Sequence, residues 1–195
     1  MKIAIFGGTF DPVHRAHIAV GASALERFNL DRVLLVPAAN PPHKDAGQME
    51  DYEHRYRMVE LACAGLNGLI PSRLEEGVDK SYSVDTIERV RDTLKPEDQL
   101  FFLIGTDAFA DVRTWFRWEE VIRQVEFIVV SRPGHQYETP PSAVVHRLET
   151  IWMDVSSSEI RDQIAKGIRP PDLAASVFDY IREHRLYGRV TEPRV

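Results

Sequence analysis

The stretch KIAIFGGTFDPVHRAHIAVGASALERFNLDRVLLVP, residues 2–37, decides the fold. Residues 2–6 are a short apolar run that stops at Gly7-Gly8. Ile18, Ala19, Ala22 and Leu25 then recur at helical spacing, so a helix is predicted from about residue 14 to residue 28. Residues 32–36 form a second apolar, partly β-branched run, stopped by Pro37. Strand, turn, helix and strand in that order make the repeating unit of a parallel sheet with right-handed crossovers.

The same alternation continues outward. Residues 38–51 are polar, carry Pro41-Pro42 and read as a loop. A helix is predicted over 55–66, with Met58, Leu61, Ala62 and Leu66 on one side and Cys63 beside them. A short strand near 70–74 and a helix from Ser83 or Asp85 to about 94 follow. QLFFLI, residues 99–104, is continuously apolar, as in a strand buried on both faces. Residues 118–124 read as helix, 127–130 as buried strand, 133–142 as loop, and 144–153 as one or two short strands. A helix over 157–166 opens on serines and a glutamate, a capping signature. A last helix is predicted over 174–184. Strands alternating with helices give one α/β domain over residues 1–188, with helices on both faces of a parallel sheet and a polar tail at 189–195.

Composition narrows the functional classes. With 195 residues, 44% hydrophobic and 28% charged, the chain has the balance of a globular domain able to bury a core. Its start lacks the features of a signal peptide, and no apolar run approaches the roughly 20 residues of a membrane helix. The single cysteine, Cys63, fits a reducing, cytoplasmic location. A net charge of −6 disfavours nucleic acid, which calls for a basic face, but leaves room for a small anion held by a local cluster of donors.

Such a cluster follows the first strand. In open parallel sheets ligands bind at the carboxyl ends of the strands, where the strand order reverses. Gly7 and Gly8 at that edge are expected to let the backbone approach a phosphate and adopt positive φ. Thr9 adds a hydroxyl, and the helix start behind it favours an anion. His14 and His17, three apart, share a helix face near its N-terminal end. There they suit electrostatic stabilisation of a phosphoryl group. A protein-held metal is not expected, because no third ligand stands nearby. G-x-x-x-x-G-K-[ST] and G-x-G-x-x-G are both absent. Ser156, Ser157 and Ser158 precede a helix whose free N–H groups suit phosphate, and the Arg161 guanidinium adds a fork for its oxygens. Asp11-Pro12 is expected to shape the turn rather than act as a base. Glu75-Glu76 reads as a solvated strand end, and Glu119-Glu120 as a helix start.

GGTFDPVHRAH, residues 7–17, resembles the G-x-T/S-F-D-P-x-H-x-G-H signature of the HIGH-motif nucleotidyltransferase superfamily, with Ala16 where that signature usually has Gly. VSSSEIRDQI, residues 155–164, resembles the same superfamily's I-S-S/T-T/S-x-I-R segment. PAANPPHK (37–44), SYSVDT (81–86), FFLIGTDAFADVRTW (101–115) and SRPG (131–134) are similar to segments of the bacterial nicotinate-nucleotide adenylyltransferase branch, in matching order along nearly the whole chain. The resemblance implies a Rossmann-like fold of nucleotidyltransferase type. It also implies transfer of the adenylyl group of ATP to the phosphate of nicotinate mononucleotide, with His14 and His17 catalytic. Gly7, Gly8, Thr9, Phe10, His14, His17, Gly105, Asp107, Arg132, Ser157, Ser158 and Arg161 would bind ATP. Asn40, Lys44, Ser83, Trp115 and Phe116 would bind the acceptor, with the Trp115 ring stacked on the nicotinate. Mg²⁺ would be carried by the ATP phosphates. The expected partners are these two small molecules, with no nucleic acid and no membrane; the oligomeric state is left open, a homodimer being the candidate. The alternatives are another acceptor, such as nicotinamide mononucleotide or phosphopantetheine, and a non-catalytic nucleotide sensor.

Overall fold

The computed structural model describes residues 1–42, 49–131, 137–149 and 155–188. Six parallel strands form one sheet in the order β3-β2-β1-β4-β5-β6. They are β1 (Lys2–Gly8), β2 (Arg32–Pro37), β3 (Leu69–Pro71), β4 (Gln99–Gly105), β5 (Glu126–Ser131) and β6 (Val144–Glu149). The helices are α1 (Arg15–Phe28), α2 (Tyr52–Cys63), α3 (Ser83–Arg91), α4 (Thr106–Ala110), α5 (Trp118–Gln124), α6 (Ser157–Ala165) and α7 (Ala175–Glu183). A single 3₁₀ turn, Val112–Thr114, lies between α4 and α5. Among the described residues no helix is long and apolar enough to cross a membrane.

Two cores explain the apolar strands. Successive side chains of a strand point to opposite faces. Ala4, Phe6, Phe101, Leu103 and Ile128 therefore pack on one side with α1, α2, α6 and α7. Ile3, Ile5, Leu100, Phe102, Ile104, Phe127 and Val129 pack on the other with α3, α4 and α5. The unbroken QLFFLI run has no polar face because β4 has no solvent face. Gly21 brings α1 close to the sheet: a Cβ there would meet Leu69 Cδ2 at 2.9 Å.

Several boundaries differ from the sequence expectation for local reasons. The helix expected from residue 14 starts at Arg15, because His14 is its N-cap with extended backbone (φ −143, ψ 174). α2 starts earlier, at Tyr52, and ends at Cys63. Gly65 turns left-handed (φ 78), and Leu66, expected on the buried side, is exposed. β3 is Leu69–Pro71 rather than 70–74. α4 and the 3₁₀ turn were not expected, since neither is long enough to show a helical period. Of the strand region predicted over 144–153, residues 144–149 form β6, and 150–153 fall outside the described residues, as does the tail from 189.

Candidate functional site

The strand order reverses between β1 and β4, and a cleft of about 530 Å³ opens near their carboxyl ends. Gly7, Gly8 and Thr9 form one wall. Ser81, Tyr82 and Ser83, at the start of α3, form another, and Trp115 and Phe116 a third. The half-buried Trp115 ring meets Phe102 edge-on at 5.7 Å, while exposed Phe116 lies 4.6 Å from the Tyr82 ring.

Gly7 and Gly8 correct the expectation of positive φ. Both belong to β1, and the left-handed residue of the turn is Phe10 (φ 49). Glycine is needed at position 8 for space, because a Cβ there would stand 3.0 Å from the Phe10 ring. Phe10 is fully buried and meets the His17 ring edge-on at 5.0 Å, so the strained residue props the histidine.

His14 and His17 face each other with ring centroids 3.8 Å apart. The backbone N–H of His14 donates to His17 Nδ1 at 3.2 Å. A nitrogen that accepts carries no proton, so the neutral His17 ring holds its proton on Nε2. Burial lowers the His14 pKa to about 4, against a smaller opposing pull from the Asp172 charge. Burial, and then the neighbouring His14, push His17 well below the usual imidazole range. The pair is therefore neutral near pH 7 and offers N–H donors rather than fixed charges.

The second motif folds back onto the first. Ser156 caps α6 in a reciprocal box with Glu159. The Ser157 hydroxyl donates to the Pro12 carbonyl at 3.0 Å. Arg161 donates to the Asp11 carbonyl at 2.7 Å and to Ser158 Oγ at 3.3 Å, which leaves other guanidinium N–H groups for a ligand. Asp11 shapes the turn as expected: its peptide to Pro12 is cis, and its buried carboxylate accepts the Tyr187 hydroxyl at 2.6 Å.

The structure thus gathers Gly7, Gly8, Thr9, Ser83, Trp115 and Phe116 around the cleft. It gathers His14, His17, Ser157, Ser158 and Arg161 around the Phe10–Pro12 turn. The GGTFDPVHRAH segment belongs to both groups. Gly105 and Asp107 are exposed where β4 passes into α4, beside the cleft residues Ile104 and Ala108. Asn40 stands outside the cleft wall. Its backbone N–H donates to Ser81 Oγ at 2.9 Å and its side chain to the Asp79 carbonyl, so it fastens the end of β2 to the segment before α3. Lys44 and Arg132 lie outside the described residues.

Three residues were missed. Arg55 read as one more helix position, but it is 1% exposed and donates to the Thr9, Ala38 and Glu50 carbonyls at 2.8 Å each. It ties the two strand ends that flank the cleft. Tyr187 was given no role, yet its hydroxyl reaches the buried Asp11 carboxylate. Glu75 was expected to be solvated, yet it is buried, accepts the Thr86 hydroxyl at 2.6 Å and lines the cleft. A long polar side chain amid helical apolar spacing was the available signal for Arg55; two adjacent glutamates gave none for Glu75.

Residues 5–163 match the family model described as cytidylyltransferase-like. A chain of Solibacter usitatus named "Probable nicotinate-nucleotide adenylyltransferase" is 54% identical over 188 residues, covering 96% of this chain and all of that one. A chain of the same name from Pelobacter propionicus is 37% identical, covering 96% and 99%. Among solved structures, the Plasmodium falciparum nicotinic acid mononucleotide adenylyltransferase complexed with NaAD superposes with a TM-score of 0.73 at 20% identity, covering 95% of this chain and 97% of that one. That likeness carries the fold; the sequence relatives carry the family. With the first motif, the cleft and these relatives in hand, the chain belongs to the cytidylyltransferase-like family and, within it, to the nicotinate-nucleotide adenylyltransferases.

Proposed function

We propose that the protein transfers the adenylyl group of ATP to the phosphate of nicotinate mononucleotide, giving nicotinate adenine dinucleotide and pyrophosphate. The observation that carries the reading is the shared first motif. Its Gly7–Thr9 part walls a cleft fit for a flat ring, and its Asp11–Pro12 turn, just before the His14–His17 pair, is held by Arg161 and Ser157 of α6. An acceptor in the cleft and a triphosphate on the histidine side meet along one turn.

In this mechanism an oxygen of the mononucleotide phosphate attacks the α-phosphorus of ATP in line. The bond from that phosphorus to the bridging oxygen breaks, and pyrophosphate leaves. The His17 Nε2–H and the His14 ring donate to the α-phosphoryl oxygens as charge builds. Thr9, the first N–H groups of α6 at Ser157 and Ser158, and the spare Arg161 donors hold the phosphates. Gly105 and Asp107 meet the ATP ribose, and Arg132 contacts the nucleotide. Trp115 stacks on the nicotinate ring. The N–H groups at the start of α3, near Ser83, and that of Phe116 receive its carboxylate. Lys44 holds the mononucleotide's phosphate, with Asn40 setting the local frame. Mg²⁺, carried by the ATP phosphates in this reading, would offset the charge that builds on them.

The test is a side-by-side acceptor assay with ATP and nicotinate mononucleotide, nicotinamide mononucleotide or phosphopantetheine, reading pyrophosphate and product. The highest kcat/KM is expected with nicotinate mononucleotide. Preference for the amide overturns the acceptor assignment, and ATP binding without pyrophosphate release in a single turnover overturns catalysis.

A further inference from the structure

Glu75 is 7% exposed and contributes to the cleft wall together with Thr86. One of its oxygens accepts the Thr86 hydroxyl at 2.6 Å. The other is buried without a hydrogen-bond partner among the described residues. Of the described residues that line the cleft, Glu75 carries the one formally charged side chain; its neighbours there include Ile5, Phe102, Ile104 and Trp115. A buried carboxylate left half-satisfied costs stability, so its place in the cleft wall calls for a reason. In surroundings of this kind its field is screened little.

A pyridine mononucleotide carries a positive ring charge that an acceptor such as phosphopantetheine lacks. Its ring nitrogen is quaternised by the ribose, and the charge spreads over a flat ring. The cleft pairs the two features that favour a flat cation, an indole face and a carboxylate. We propose that Glu75 is a specificity-determining residue of this cleft, its carboxylate selecting acceptors whose ring is a pyridinium cation. The inference rests on the acceptor reading above and deepens it.

The experiment compares two acceptors, nicotinate mononucleotide and its 1,4-dihydro form. They share phosphate, ribose and carboxylate, but the dihydro ring is neutral. Glu75→Gln keeps an acceptor for Thr86 and removes the charge; Glu75→Met keeps the length and removes both. In each variant the preference for the oxidised over the reduced acceptor, as kcat/KM, is expected to fall about tenfold. The fall should sit in the KM of the oxidised acceptor, with the KM for ATP unchanged. Thr86→Val, which breaks the hydrogen bond and keeps the charge, is expected to retain the wild-type ratio. Equal losses with both acceptors, an unchanged ratio in either neutral variant, or an equal fall in Thr86→Val overturns the proposal. The ratio can be read as well with nicotinamide mononucleotide, whose ring is cationic, and its reduced form, whose ring is neutral. Failure of the nicotinate assignment and failure of the Glu75 assignment are therefore separate results.

Discussion

The backbone N–H of His14 donates to Nδ1 of His17 at 3.2 Å, so a helix cap fixes the tautomer of a proposed catalytic ring. His17 sits at the third position of α1, where its side chain can reach back to the cap. The proton is left on Nε2. Long-range proton–nitrogen NMR of the free protein near pH 7 should show His17 neutral with its proton on Nε2. A His17 protonated on Nδ1 would remove the donor that the mechanism assigns to it. His17→Ala should lower kcat by about 10²–10³-fold with little change in the KM for ATP, as for loss of one transition-state donor.

The neutral pair also sets a pH dependence of stability. Burial disfavours the charged form of His14 and lowers its pKa to about 4 in the folded chain, against 6.5 for a free imidazole. Between those values the unfolded chain binds more protons, so stability rises with pH. Stability contributed by a neutral His14 is complete above about 6.5 and is lost as pH falls toward 4. The full span of that one group is about 3 kcal/mol, and His17 acts in the same direction. Denaturant midpoints measured from pH 4 to pH 7 should rise, and His14→Gln should flatten the slope. An unchanged slope in that variant would assign the dependence to other groups.

Much of this was legible because the chemistry is local. The apolar runs at β1, β2, β4 and β5 reveal the parallel sheet, since each strand buries both faces or nearly so. The GGTFDPVHRAH spacing delivers both histidines to one helix start. What was not legible depends on partners far away in the chain. Nothing near Tyr187 in sequence announces that its hydroxyl meets Asp11, 176 positions earlier. Glu75 is buried only because α3 brings Thr86 to it. The left-handed turn fell on Phe10 rather than on a glycine because the burial of its ring under His17 offsets the strain.

The Asp11–Tyr187 bond ties the C-terminal segment to the turn of the first motif. Asp11 is 3% exposed, and Arg161 stands 3.9 Å from its second oxygen. Tyr187→Phe removes one donor and leaves a buried carboxylate oxygen unpaired, a loss of about 1–3 kcal/mol. Thermal unfolding should detect it. Because Arg161 is anchored on the same residue, the KM for ATP is expected to rise in the variant. A fall in stability with an unchanged KM for ATP would confine Tyr187 to folding.

Arg55 joins the ends of β1 and β2 through the Thr9 and Ala38 carbonyls. Substitution by Met fills the volume but strands three carbonyls, at roughly 3 kcal/mol or more for a broken buried network. Arg55→Lys restores one charged donor without the planar fork, so it should recover part of the stability and less of the activity. Urea midpoints and kcat measured together check this order, and full activity in the Lys variant would show that the fork geometry at Thr9 is dispensable.

Trp115 separates acceptor binding from chemistry. Its indole lies against Phe102 and forms part of the cleft wall, whereas the histidine pair belongs to the other group of residues. If the ring of the mononucleotide stacks there, Trp115→Ala should raise the acceptor's KM about tenfold through lost stacking. Trp115→Phe should keep much of the affinity because it retains a flat face. Neither should alter the KM for ATP, since the residues assigned to its phosphates are untouched. Initial rates with each substrate varied in turn distinguish the cases. Parallel increases in both KM values would mean that the indole supports the fold of the cleft rather than the acceptor within it.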